Sequence, residues 1–158
     1  MASSEPTTAA PSQVVYAAKY DFGVDDKRRV QIPAKWRPGL DGVQLMLVLW
    51  RHEGVEDQCI LVLPPEALGN LMDRLKAMPF GDPNSEALRR NLGEKSDTVT
   101  LDKAGRICLP EWMAGPAGIQ DQAVLIGMFD RFQIWEPGRY RQSRQLVSAR
   151  VPDAFATL

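Results

Sequence analysis

Two short stretches of the chain set an aspartate four residues ahead of an arginine and follow the arginine with an apolar-x-apolar-proline run. The first reads Val24-Asp25-Asp26-Lys27-Arg28-Arg29-Val30-Gln31-Ile32-Pro33, and the second Leu101-Asp102-Lys103-Ala104-Gly105-Arg106-Ile107-Cys108-Leu109-Pro110. Asp102 lies 77 residues after Asp25. A carboxylate at this spacing caps the N–H groups of a turn or orients the arginine. Lys27, Arg28 and Arg29 put three cations on the first turn, Lys103 and Arg106 put two on the second, and Arg37 follows Pro33 by four positions. A strand pair bearing such cations suits phosphates and guanine edges in the major groove. The plainer reading, a solvated basic loop, stays open on these residues alone.

Other residues with chemical potential have plainer roles. His52, the only histidine, stands between Arg51 and Glu53 and reads as a surface residue. Cys59 and Cys108 have no Cys or His at ligand spacing, so both are expected in the core and no metal is expected. Arg131 is expected as a surface charge at a turn, and the glycines of Gly115-Pro116-Ala117-Gly118 as the end of a helix. With no nucleophile elbow, phosphate-cradling loop or metal motif, neither an enzyme nor a cofactor or small-molecule site is expected.

The elements that must carry the two motifs repeat as well. Each copy reads as an alternating strand, a polar turn and a second alternating strand, hence a hairpin, with Pro33 or Pro110 opening a helix. Trp36 with Leu40, and Trp112 with Met113, are the expected apolar contacts of those helices. Further strands are expected over 44–50 and 58–63, then over 123–128 and 132–135. Helices are expected over 64–78, 83–92 and 137–150, the last carrying Arg139, Arg141, Arg144 and Arg150, which either touch the DNA backbone or solvate the helix. The turn position before each arginine favours positive φ, which suits Gly105. Arg28 either bears roughly 1 to 3 kcal/mol of strain or forces another turn that adds a cation to the first tip. The second outcome is expected, making the first copy the stronger DNA contact.

The chain has 158 residues, 44% hydrophobic and 25% charged, as in a packed globular protein. Halves of this length, below roughly 80 residues, hold a core alone only with difficulty and are expected to share one. The net charge of −1 confines any DNA-binding signal to local patches. Residues 1–13 read as a disordered tail. The longest apolar runs fall far short of the ~20 residues that span a bilayer, so a cytosolic protein without membrane contact is expected.

The paired D-x-x-x-R turns, together with Cys59-Ile60-Leu61-Val62 and the stretch from Leu125 to Pro137 that contains Gln133-Ile134-Trp135, resemble the MraZ family over roughly residues 16 to 142. The resemblance implies an α+β, β-rich fold of the AbrB swapped-hairpin class. In that fold two repeats form a pseudo-twofold double-split β-barrel with covering helices. The implied divisions are a tail over 1–13, a first repeat over 14–80, a connecting helix over 81–93, a second repeat over 94–144 and a tail over 145–158. Also implied are a ring-shaped homo-oligomer and a nucleoid-associated regulator, a repressor of the division and cell-wall gene cluster. It would bind direct repeats in the promoter upstream of its own operon through Lys27, Arg28, Arg29, Arg37, Lys103 and Arg106, with Asp25, Asp102 and Gly105 supporting the turns. The family turn reads D-x-K-G-R, whereas this chain has Arg28 at the glycine position of copy one and Ala104 at the lysine position of copy two. Ala114 stands where an arginine like Arg37 is usual. These departures keep a second reading open, an antitoxin-like or interaction protein of the same fold with weakened DNA contacts.

Overall fold

The computed structural model describes residues 14–158. The tail expected over 1–13 lies outside the described residues. The first half supplies β1 (Lys19–Gly23), β2 (Arg29–Gln31), β3 (Leu45–His52) and β4 (Val55–Leu63). The second supplies β5 (Ser96–Val99), β6 (Arg106–Cys108), β7 (Gln122–Gly127) and β8 (Phe132–Trp135). Each strand of the first half starts 77 residues before its counterpart, at 19 and 96, 29 and 106, 45 and 122, and 55 and 132. The interval of the motif therefore runs through all four strands.

Pairing follows the same symmetry. Six strands form an antiparallel sheet in the order β1-β7-β8-β4-β3-β5, and β2 and β6 form a two-stranded sheet. Exchanging every strand for its counterpart and reading backwards returns the same order. The fold is thus α+β and rich in antiparallel strands. The expected hairpin is corrected: the strands on either side of the first turn do not zip together. β1 pairs with β7 and β2 with β6, and the bridge Val24↔Val30 is what joins the turn's own flanks. The reason is length and burial. β2 and β6 are each three residues long, and crossing to the other copy sets Val30 opposite Ile107 with both fully buried.

That crossing builds one core from both halves. Val30, Ile32, Trp36 and Leu40 meet Ile107, Leu109, Met113 and Ala117, their counterparts at the same interval, in a single cluster. Trp36 fills its centre against Tyr16, Tyr20 and Phe132, with ring centroids 5.8, 5.4 and 4.8 Å away, and its indole N–H donates to the Ala17 carbonyl at 3.1 Å. Removing such a ring leaves a cavity that costs about 3 to 5 kcal/mol. Gly127 is required by close packing, because a Cβ there would fall 2.4 Å from the Tyr16 carbonyl oxygen.

Helices cover the sheet. Pro65–Lys76 is α1, Pro83–Glu94 is α2, opened by Asp82 accepting from the Ser85 N–H, and Glu111–Ala117 is α3, closed by Gly118. Pro110 caps α3 as expected, but the segment after Pro33 forms only a turn and the short 3-10 helix Arg37–Gly39. The helix expected over 137–150 ends at Ser148 as α4 (Pro137–Ser148), and α5 (Val151–Phe155) follows. Trp112 is corrected too. It is 44% exposed and donates to Asp97, while Met113 takes the core position that matches Trp36. Among the described residues no helix is long and apolar enough to cross a membrane.

Candidate nucleic-acid interface

The short ribbon of β2 and β6 lies at the centre of the pseudo-twofold arrangement. Strand alternation sends Val30 and Ile107 inward and turns Arg29, Gln31, Arg106 and Cys108 to the outer face. Arg29 stands opposite Cys108, and Gln31 opposite Arg106. Cys108, expected in the core, is therefore exposed, whereas Cys59 is buried and its thiol is pushed up to about 12 by burial.

The turns flank the ribbon and share one construction. Asp25 Oδ1 accepts from the N–H groups of Lys27 and Arg29 at 2.9 and 2.8 Å, and its Oδ2 takes Arg29 Nε at 2.7 Å. Asp102 does the same with Ala104, Arg106 and Arg106 Nε at 2.9, 2.9 and 3.0 Å. The Arg28 and Gly105 N–H groups donate to the Asp25 and Asp102 carbonyls, both at 3.0 Å. Arg29's backbone N–H, with its guanidinium and the Lys27 N–H, holds the Asp25 carboxyl down to about 2. The Arg106 and Ala104 N–H groups, then the Arg106 guanidinium, lower Asp102 likewise. A carboxylate on Nε fixes the plane of each guanidinium, and Arg106 Nη1 also lies 4.0 Å from Asp25 Oδ2 across the ribbon.

Arg28 departs from expectation. It adopts φ 61 where Gly105 has φ 78, with matching hydrogen bonds, so it bears the left-handed strain and does not force a different turn. Each turn also closes on the other copy: the Leu109 N–H donates to the Arg28 carbonyl at 2.8 Å and the Ile32 N–H to the Gly105 carbonyl at 2.9 Å.

The expected cations divide into two sets. Lys27 and Lys103 are exposed on the turns, and Arg29 and Arg106 stand on the ribbon face. Each tip thus carries one lysine, at neighbouring positions, since Lys103 aligns with Asp26 and Ala104 with Lys27. Arg28 and Arg37, by contrast, spend Nε on backbone carbonyls, those of Leu109 and Ile32, each at 2.9 Å. Two outer-face residues escaped the sequence reading, Gln31 and Cys108. They bond matching carbonyls of the opposite turn, Gln31 Nε2 that of Ala104 at 3.1 Å and Cys108 Sγ that of Lys27 at 3.2 Å. Strict alternation from the buried Val30 and Ile107 is the signal that reveals them.

Elsewhere, Arg131 pairs with Asp130. Arg139 bonds the Asp57 and Pro116 carbonyls and Arg150 pairs with Glu53, so these two tie the C-terminal helices to the body. His52 contacts Ser143 Oγ at 2.8 Å. Among the described residues no group of three or more His, Cys, Asp or Glu is placed to hold a metal ion.

The family described as "MraZ protein, putative antitoxin-like" matches residues 94–155. A protein named "Transcriptional regulator MraZ" from Herpetosiphon aurantiacus is 37% identical over 80% of this chain and 85% of its own length. Relatives of the same name from Roseiflexus sp. (strain RS-1) and Thermomicrobium roseum are 30% and 26% identical, covering 85% and 87% of this chain and 90% and 93% of their own. The chain belongs to the MraZ family, and the relatives that place it there are transcriptional regulators by name, not enzymes.

Proposed function

We propose that the chain is a transcriptional regulator that binds DNA sequence-specifically by laying the β2/β6 ribbon into the major groove. An antiparallel pair of strands fits that groove, and arginine is the side chain that reads guanine edges bidentately. Arg29 and Arg106 are the base readers, Gln31 is a further one, and Lys27 and Lys103 contact phosphates. The observation that carries this reading is the outer ribbon face, with both arginines held in plane by Asp25 and Asp102. The rival, an antitoxin-like interaction protein with decayed DNA contacts, drew on Arg28, Ala104 and Ala114. The shared hydrogen bonding of the two turns favours the DNA reading.

A ring-shaped homo-oligomer repeats the ribbon at fixed intervals, so direct repeats in the promoter upstream of its own operon are its natural target. In this reading it acts at the nucleoid, in the cytoplasm, as a repressor of the division and cell-wall gene cluster. The test is fluorescence anisotropy with that promoter, at moderate salt and with competitor DNA, alongside light scattering. Linked boxes should bind about 10²- to 10⁴-fold more tightly than one box. Specific binding should exceed random duplex by at least roughly 10³-fold. Equal affinity for promoter and random DNA refutes the function, and a monomer by light scattering refutes the ring.

A further inference from the structure

The two copies differ at two positions, the turn tip and the fourth residue after the proline, and at one end of the ribbon the crossing strands bring these two together. Arg37 of the first copy lies across Gly105 of the second: a Cβ built on that glycine falls 2.5 Å from Arg37 Nε and 2.7 Å from its Cζ. From there Arg37 Nε donates to the Ile32 carbonyl at 2.9 Å. At the opposite end of the ribbon both partners have changed. Ala114 is the counterpart of Arg37, and Arg28 is the counterpart of Gly105. Yet the carbonyl of Leu109, the counterpart of Ile32, still receives a guanidinium Nε at 2.9 Å, now from Arg28. One end is served by an arginine reaching over a glycine tip, the other by an arginine on the tip itself.

We infer that Arg28 and Arg37 are positioning residues, crossed latches that clamp each turn against the end of the opposite copy's recognition strand, and that Arg28 fills from the first copy the place left by Ala114 in the second. The inference rests on the DNA-binding reading above. With Nε on the Leu109 carbonyl and Nη1 3.9 Å from Glu111 Oε1, the Arg28 guanidinium has its partners within the protein and acts on DNA through the placement of Arg29 and Arg106, not as a phosphate contact. The left-handed φ of Arg28 belongs to the turn, since Gly105 shares it, and that tip conformation aims the Arg28 side chain at Leu109.

The test moves the arginine. In the full chain, Arg28→Gly, Ala114→Arg and the double variant are titrated against promoter and random duplex at several salt concentrations, with melting curves alongside. Arg28→Gly should weaken promoter binding by about tenfold, the scale of one charge-assisted hydrogen bond. It should lower the promoter-to-random ratio and leave the slope of log K against log salt unchanged. The double variant keeps the charge, gives the first tip the glycine of the second, and should restore the ratio to within about threefold. A purely structural role moves melting temperature but not this ratio. The inference is overturned if Arg28→Gly lowers the slope by about 0.9, the signature of a lost phosphate contact, or if the double variant binds no better than Arg28→Gly. Melting temperatures separate the two readings. Additive effects of the two substitutions refute the latch whatever the DNA result, while non-additive effects in a protein that ignores its promoter support the latch and refute the DNA reading.

Discussion

Gly105→Ala puts the joint between the copies under a load that can be worked out from the structure. The backbone at Gly105 has φ 78, and an L-residue there costs about 1 to 2 kcal/mol. The added methyl would also sit 2.5 Å from Arg37 Nε, closer than real Cβ contacts come, so Arg37 must leave the Ile32 carbonyl. Losing that bond at a half-buried site adds about 1 kcal/mol. The total, about 2 to 3 kcal/mol, lowers the melting temperature by roughly 4 to 12 °C for a protein of this size. Chemical denaturation and thermal melting of Gly105→Ala, Arg37→Ala and the double variant measure it. In the Arg37→Ala background the crowding is gone, and Gly105→Ala should then cost only the conformational 1 to 2 kcal/mol. A loss below about 0.5 kcal/mol in the single variant, or full additivity in the double, refutes the close approach of Arg37 to the tip.

Further outcomes follow from the same geometry. Lys27→Ala and Lys103→Ala should each reduce the salt slope of DNA binding by about 0.9 while leaving sequence preference intact, as titrations in graded salt will show. Arg29→Ala and Arg106→Ala should each cost roughly 1 to 3 kcal/mol of promoter binding and relax sequence preference. Asp25 and Asp102 have carboxyls depressed in the folded state, so their contribution is complete above the unfolded value near 3.8 and disappears as pH falls through the folded one, about 2 for Asp25. Stability from denaturant titrations should drop over that acid window, and Asp25→Asn should flatten the drop.

Much of the scaffold was legible because it depends on local period. The alternating runs before and after each turn, the apolar blocks 45–50 and 59–63, and the proline-opened helices all announce themselves within a few residues. The strand boundaries missed at 52 and 55 reflect the two-residue turn Glu53-Gly54, both with positive φ, which carries the hairpin further than the apolar pattern does. Partner choice was less legible from the residues themselves. A polar turn between two alternating strands is the signal for a hairpin, and what sends β2 to β6 is the chance to bury Val30 on Ile107, a gain that appears only when both copies are considered together. Trp112 beside Met113 failed for a similar reason: both are apolar neighbours, and the one that takes the site of Trp36 is set by the 77-residue interval.

The misreading of Arg28 carries a more general point about tandem copies. Aligned copy against copy, Arg28 and Ala114 are two separate losses, a glycine missing from one turn and an arginine missing after one proline. That comparison assumes each copy surrounds its own residues. When strands cross, the neighbours of a tip belong to the other copy: Gly105 meets Arg37, and Arg28 meets the Leu109 carbonyl. At each end one arginine is present, and the strand-end carbonyl stays satisfied in both. A glycine in both tips with Arg37 alone would leave the Leu109 carbonyl without its guanidinium. On the inference drawn above, the asymmetry between copies is two ways of closing the same joint.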